Sequence, residues 1–170
     1  MGIGKQSKTL KKSQIEMVSN YLRSQGRNFP AKSEYPRRQE LGFNHGLRNE
    51  TIFLLSVKSG LRSKEISQLS WKEVITSDGI IGDEIHLTNK TSKGTSGRII
   101  PLHKSVKENL NQLLEEHKSF PDFDYNTSLV VRTERSLSTS SQSIVNMFQK
   151  WYKTLGLIGC SSHSGRRTFI

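Results

Sequence analysis

A chain of 170 residues with a formal net charge of +11 and one cysteine has the size of a single domain that buries its own core, and it cannot form an internal disulfide. The opening MGIGKQSKTLKK carries charge without an apolar run, and no stretch approaches the length of a membrane span. The basic excess is shared between residues 1–40 and the remainder. That balance points to a polyanionic partner, nucleic acid foremost, and the single cysteine to a reducing, intracellular setting with no membrane contact.

The first predicted helix lies in SQIEMVSNYLRSQG, where Ser13 and Glu16 stand at capping-box spacing, Ile15, Val18 and Leu22 share a face, and Gly26 follows the end. Residues 27–45 hold Pro30 and Pro36 without helical periodicity and read as a basic loop. LRNETIFLLSVKSG is apolar over helical length and predicts a buried helix ending at Gly60. SKEISQLS predicts a short helix capped by Ser63, with Glu65 in its first turn.

From Asp78 the period changes. A turn at Asp78-Gly79, alternation in EIHLT (84–88), a polar connector with glycines and RIIPL (98–102) predict a β-hairpin. Ser105 and Glu108 mark a further capping box ahead of Val106, Leu110, Leu113, Leu114 and His117. LVV at 129–131 is read as a short strand and RTERSLSTSSQS as a loop. The last full helix, IVNMFQKWYKTLG, places Ile144, Phe148, Trp151 and Leu155 together and stops at Gly156. The terminal SSHSGRRTFI reads as the first turns of another helix starting near Ser162. The fold expected is mainly α with a small antiparallel β-hairpin insert.

Three segments place a cation where the local structure is well defined. Arg62 follows the helix-ending Gly60 and opens the next helix. Lys93 lies at the tip of the hairpin, and His163 and Arg166 lie one turn apart on the terminal helix. Guanidinium groups match phosphate oxygens with paired hydrogen bonds, a lysine is a compact charged acid, and a histidine accepts or donates a proton near neutral pH. Together they are the parts that stabilise a five-coordinate phosphate and protonate a leaving oxygen. Cys160 and His163 are three residues apart, but without a third partner they read as packing residues, so no metal site is expected. His117 likewise reads as a satisfied histidine.

In this order the three segments resemble the tyrosine recombinases of the phage-integrase type. SGLRSKEISQLSWKEV is similar to the family's first arginine box, with Arg62 at the catalytic arginine, Glu65 at the acidic position and Trp71 at the usual aromatic. TSKGTSGRIIPL resembles the hairpin that carries the catalytic lysine, matching Lys93, with Arg98, Pro101 and Leu102 following. SHSGRRTF resembles the His-x-x-Arg box, matching His163 and Arg166, with Gly165 where a leucine is common. The resemblance implies an integrase-type catalytic domain with the DNA breaking-rejoining fold, found on phages and other mobile elements.

The resemblance also implies site-specific DNA recombination and integration through a 3′-phosphotyrosyl intermediate, with double-stranded DNA as the partner, a cytoplasmic, nucleoid-associated location, no cofactor, and homo-oligomers forming on DNA. Arg62, Lys93, His163 and Arg166 are then the catalytic set, and Lys64, Lys90, Arg98 and Arg167 are expected to contact DNA. The family's separate core-binding domain has no counterpart within residues 1–170, and none of Tyr21, Tyr35, Tyr125 and Tyr152 stands where the family places its nucleophile. The expectation is therefore an incomplete catalytic domain, inactive in strand cleavage by itself. A DNA-binding module without catalysis and a type IB topoisomerase-like domain are the alternatives.

Overall fold

The computed structural model describes residues 6–26, 43–88, 90–91, 97–133 and 135–169. Among the described residues six α-helices, a short 3-10 helix and one two-stranded sheet follow one another in chain order: α1 Lys12–Ser24, α2 His45–Ser59, α3 Ser63–Gln68, the 3-10 turn Trp71–Glu73, β1 Glu84–Leu87, β2 Arg98–Pro101, α4 Lys104–Lys118, α5 Ser141–Thr154 and α6 Ser162–Phe169. The fold is mainly helical with a small antiparallel sheet, as the periodicities indicate. No helix among the described residues is long and apolar enough to cross a membrane.

Helix α2 is the axis of the molecule. Almost all of its residues are buried, and α1, α3, α4 and α6 pack around it. Ile52, Phe53 and Leu55 are fully enclosed on it, and the polar Glu50, Thr51 and Ser56 are buried with them, so the helix is covered on every side rather than along one stripe. Each such apolar side chain removed from water contributes about 1.5–3 kcal/mol. Helices α4 and α5 are amphipathic instead: Val106, Leu110 and Leu113 line one face of α4, and Ile144, Phe148 and Trp151 line one face of α5.

The hairpin pairs Glu84 with Pro101, Ile85 with Ile100, His86 with Ile99 and Leu87 with Arg98. Ile85, Leu87 and Ile100 point into the core while Glu84, His86 and Ile99 face outward, the alternation that a half-buried sheet requires. The polar tip of this hairpin, including Lys93, lies outside the described residues, as does most of the loop at 27–45.

Three caps differ from their expected positions, always because a neighbouring side chain takes the first free N–H groups earlier. Helix α1 begins at Lys12, and the Gln14 carboxamide oxygen accepts from the Lys11 N–H at 2.9 Å, so Ser13 and Glu16 do not form the cap. Helix α3 is preceded by Arg62 in extended geometry, and Ser63 is its first helical residue. Helix α4 is capped by His103, whose Nδ1 accepts from the Ser105 N–H at 3.2 Å, displacing the Ser105 and Glu108 box. Residues 129–131 form only an isolated bridge, Ser70 with Leu129, rather than a strand.

His117 is 1% exposed, and its Nδ1 accepts from the Trp71 indole N–H at 3.1 Å. Burial, reinforced by the nearby Arg132 charge, pushes its pKa down to about 3, so it packs as a neutral ring. Cys160 is partly buried against the core.

Candidate functional site

The corner that carries Arg62 is built by glycine chemistry. Helix α2 ends at Gly60 in the left-handed conformation (φ 68°), with the Gly60 N–H donating to Ser56 O at 3.1 Å and the Leu61 N–H to Leu55 O at 3.2 Å. Two residues later Arg62 is the N-cap of α3. The Glu65 carboxylate turns back on this corner, where its Oε2 accepts from the Arg62 N–H at 2.7 Å and its Oε1 from Arg62 Nη1 at 3.2 Å. The same carboxylate receives Arg98 Nη2, from the first residue of β2, at 2.8 Å. Glu65 is only 2% exposed in its side chain, whereas Arg62 and Arg98 keep 33% and 36% of theirs in solvent.

Arg166 arrives from α6. Its guanidinium is held below the ordinary arginine value, first by burial and then by repulsion from Arg62, with Glu65 acting in the opposite sense and Arg98 adding further repulsion. Two arginines, from the α2–α3 corner and the hairpin, therefore bond to one buried carboxylate, and Arg166 of α6 lies within electrostatic range of all three. A single negative charge does not balance three positive ones, so this neighbourhood keeps a surplus of positive charge. The Arg98 Nε is itself buried and finds no hydrogen-bond acceptor in the structure.

Two contacts bring α6 close enough to do this. A side-chain carbon on Gly165 would stand 3.0 Å from Val57 Cγ1 and closer still to the Ser56 hydroxyl, so the glycine permits α6 to lie directly on α2. Phe169, at the end of α6, lays its ring over Gly60, where any Cβ would meet the ring Cδ1 at 2.6 Å.

His163 lies exposed in the first turn of α6, where its backbone N–H donates to Ser161 Oγ at 3.2 Å. Lys64 is exposed on α3, and Lys90 is exposed at the foot of the hairpin, on an open cleft shared with Gln68, Lys72 and His86. Arg167 points away from its neighbour Arg166, donating Nη2 to Gln6 Oε1 at 2.9 Å. Lys93 is outside the described residues, but the end of β1 leading toward it is firmly held. Glu73, 5% exposed, accepts from the Thr88 N–H at 3.0 Å, from Thr91 Oγ1 at 2.6 Å and from the Ser70 N–H at 2.9 Å.

Sequence reasoning places Glu65 in the first turn of a helix and at the family's acidic position, and Arg98 among the DNA contacts, but it misses that Glu65 joins Arg62 to Arg98. The available sign was an acid three residues after an arginine that follows a helix-ending glycine. Tyr152 is 1% exposed with its hydroxyl unpaired, and burial, with Cys160 nearby, raises its pKa well above the ordinary phenol value. Tyr21 packs partly buried against the core, and Tyr125 stacks edge-on against Phe123.

Residues 33–170 match the model of the phage integrase family. The chain belongs to the phage integrase family. Its fold is that of the tyrosine recombinase catalytic domain. It is similar to the crystal structure of XerA recombinase, with a TM-score of 0.66 and 18% identity over 95% of this chain and 48% of that one. It is similar also to XerH site-specific recombinase bound to its difH substrate in a pre-cleavage complex, with a TM-score of 0.63 and 18% identity over 97% of this chain and 42% of that one. The Tn1549 transposon integrase in complex with circular intermediate DNA matches with a TM-score of 0.60 and 15% identity, over 95% of this chain and 50% of that one. The chain thus spans about half the length of these integrase-fold proteins or less. A comparison with curated proteins gives no match.

Proposed function

We propose that this chain is the phosphate-handling part of a site-specific DNA recombinase. The observation that carries the reading is the bonding of Arg62 and Arg98, from two distant segments, to the single carboxylate of Glu65, with Arg166 of α6 within electrostatic range of all three. Family membership supports the same chemistry. Arg62 and Arg166 hold the non-bridging oxygens of a DNA phosphate, and Lys93 protonates the departing 5′ oxygen. His163, exposed one turn before Arg166, assists the proton movement. Lys64 and Lys90 extend the phosphate contacts beyond the cluster, Arg98 shares them within it, and Arg167 contributes at its edge. A tyrosine oxygen bonds to phosphorus as the bond to the 5′ oxygen breaks, so the phosphodiester energy is kept in a 3′-phosphotyrosyl link and no cofactor is needed.

None of Tyr21, Tyr125 and Tyr152 is that nucleophile in this reading, because Tyr152 is sealed in the core and the other two belong to packing contacts; Tyr35 lies outside the described residues. In this reading the chain binds duplex DNA, acts inside the cell, and assembles on DNA with further copies, and none of the three described tyrosines supplies the nucleophile.

Binding to duplex DNA as a function of salt tests the proposal. With about four to six phosphates contacted, log K falls against log salt with a slope of roughly −4 to −5, and Arg62→Ala makes the slope shallower by about 1. Affinity that does not respond to salt removes the nucleic-acid reading. A covalent adduct formed on a nicked trap duplex and mapped to Tyr152 removes the assignment of the nucleophile.

A further inference from the structure

Residues Gln6–Leu10 belong to no helix or strand, yet they are bonded to the other end of the chain. The Lys8 N–H donates to Gly159 O at 3.0 Å, and the Ser7 and Ser161 hydroxyls lie 2.5 Å apart. The Leu10 N–H donates to Thr168 Oγ1 at 2.8 Å, and Gln6 Oε1 receives Arg167 Nη2 at 2.9 Å. Leu10 is buried at 6% exposure, which anchors the segment in the core. These bonds reach the lead-in of α6 and also its last turn, so the segment spans the helix as a strap.

A helix of 8 residues is too short to hold its own shape in water and depends on what packs against it. Gly165 and Phe169 dock α6 on α2 and Gly60, but close approach at two points leaves rotation about the helix axis to be set by directional bonds. Thr168 supplies them. Its hydroxyl accepts from the strap and donates to Ser164 O at 2.7 Å, one turn back in α6. Arg167 is drawn to the strap by Gln6, which leaves the preceding arginine to face Arg62 and Arg98.

We propose that the Gln6–Leu10 strap is a positioning element of the phosphate site, holding α6 in the rotation that brings Arg166, and not Arg167, into the arginine cluster. The inference rests on the reading of that cluster as a phosphate site. Thr168 is the joint through which it acts.

The test uses the full chain with Thr168→Val, which keeps the shape and loses the hydroxyl, and Thr168→Ser, which restores the hydroxyl. Amide hydrogen exchange of α6 and duplex DNA affinity are measured for each, in the native and the Arg166→Ala backgrounds. Thr168→Val is expected to speed exchange in α6 while α2 stays protected. It is expected to weaken DNA binding about fivefold, the effect of one net hydrogen bond, with recovery in Thr168→Ser. In the Arg166→Ala background Thr168→Val adds no further loss of affinity, because the strap acts through that arginine. Unchanged α6 exchange in Thr168→Val overturns the proposal, and so does an affinity loss of equal size in both backgrounds. If Arg166→Ala leaves DNA binding intact, the phosphate reading falls, and the hold of the strap on α6 is then decided by exchange alone.

Discussion

Two buried glutamates in this protein are each bonded to arginine, and they do opposite things. Glu50, on α2, accepts from Ser19 Oγ at 2.5 Å, from Arg23 Nε at 3.1 Å and Nη2 at 2.9 Å, and from Asn109 Nδ2 at 3.1 Å. One carboxylate meets one guanidinium, every contact is made within the protein, and the result joins α1, α2 and α4. Glu65 meets Arg62 and Arg98 directly and faces the charge of Arg166 as well. Both side chains are 2% exposed, so burial does not distinguish them. The ratio of charges does: one guanidinium offsets Glu50, whereas Glu65 bonds two arginines and lies in the field of a third, which leaves a surplus of positive charge there.

The largest expected effect breaks the closed network. Arg23→Met removes the cation from Glu50, leaving a carboxylate buried with only Ser19 and Asn109, and because Arg23 itself is 67% exposed the loss of stability is about 2 kcal/mol. Urea unfolding measures the loss, and DNA affinity under folding conditions is unchanged. An equal loss of DNA binding would show that the two networks are not separate.

Acid separates the regions next. His117 belongs to the structural side, with its pKa pushed down to about 3 by burial and then by Arg132. Because its folded value lies below its unfolded value of about 6.5, the unfolded chain binds the extra proton, and the stability from the neutral ring is present above pH 6.5 and lost progressively toward pH 3. At pH 5 the loss is about 2 kcal/mol. His117→Gln, which keeps an acceptor for the Trp71 indole, flattens this part of the pH profile in urea titrations. The arginines keep their charge throughout the window, so the acid sensitivity does not come from the cluster.

The smallest effect on stability comes from the open cluster. Arg166→Met removes a cation already disfavoured by burial and by Arg62, so the urea midpoint stays unchanged or rises slightly. DNA affinity falls about tenfold with the loss of a phosphate contact. A stability loss comparable to that of Arg23→Met would mean that Arg166 is a structural residue and that the cluster is closed after all.

Much of this arrangement was legible before any tertiary contact was known. The buried helix ending at Gly60, the hairpin at 84–88 and 98–102 and the amphipathic helix before Gly156 follow from period and turn chemistry, which act over a few residues. The arginine at the corner and the His-x-x-Arg pair were equally visible, because their spacing is local. The caps were less so. Gln14 and Glu65 accept from the Lys11 and Arg62 N–H groups and His103 accepts from the Ser105 N–H, so each cap lies ahead of the serine expected to form it, and the choice between such close competitors depends on which side chain the packing leaves free.

Sequence by itself determined the elements, the surplus of positive charge and the residue types available for phosphate chemistry. Tertiary structure alone decided which of those cations meet. Arg98 joins the cluster and Arg167 leaves it for Gln6, although both are arginines in segments that resemble functional boxes. The deciding contacts link residues far apart in the chain: Gly165 on Ser56 and Val57, Phe169 on Gly60, Leu10 on Thr168. Periodicity records which face of a helix is apolar, but not the rotation and depth at which that helix docks, since these are set by steric fit and directional bonds to partners that local spacing does not name.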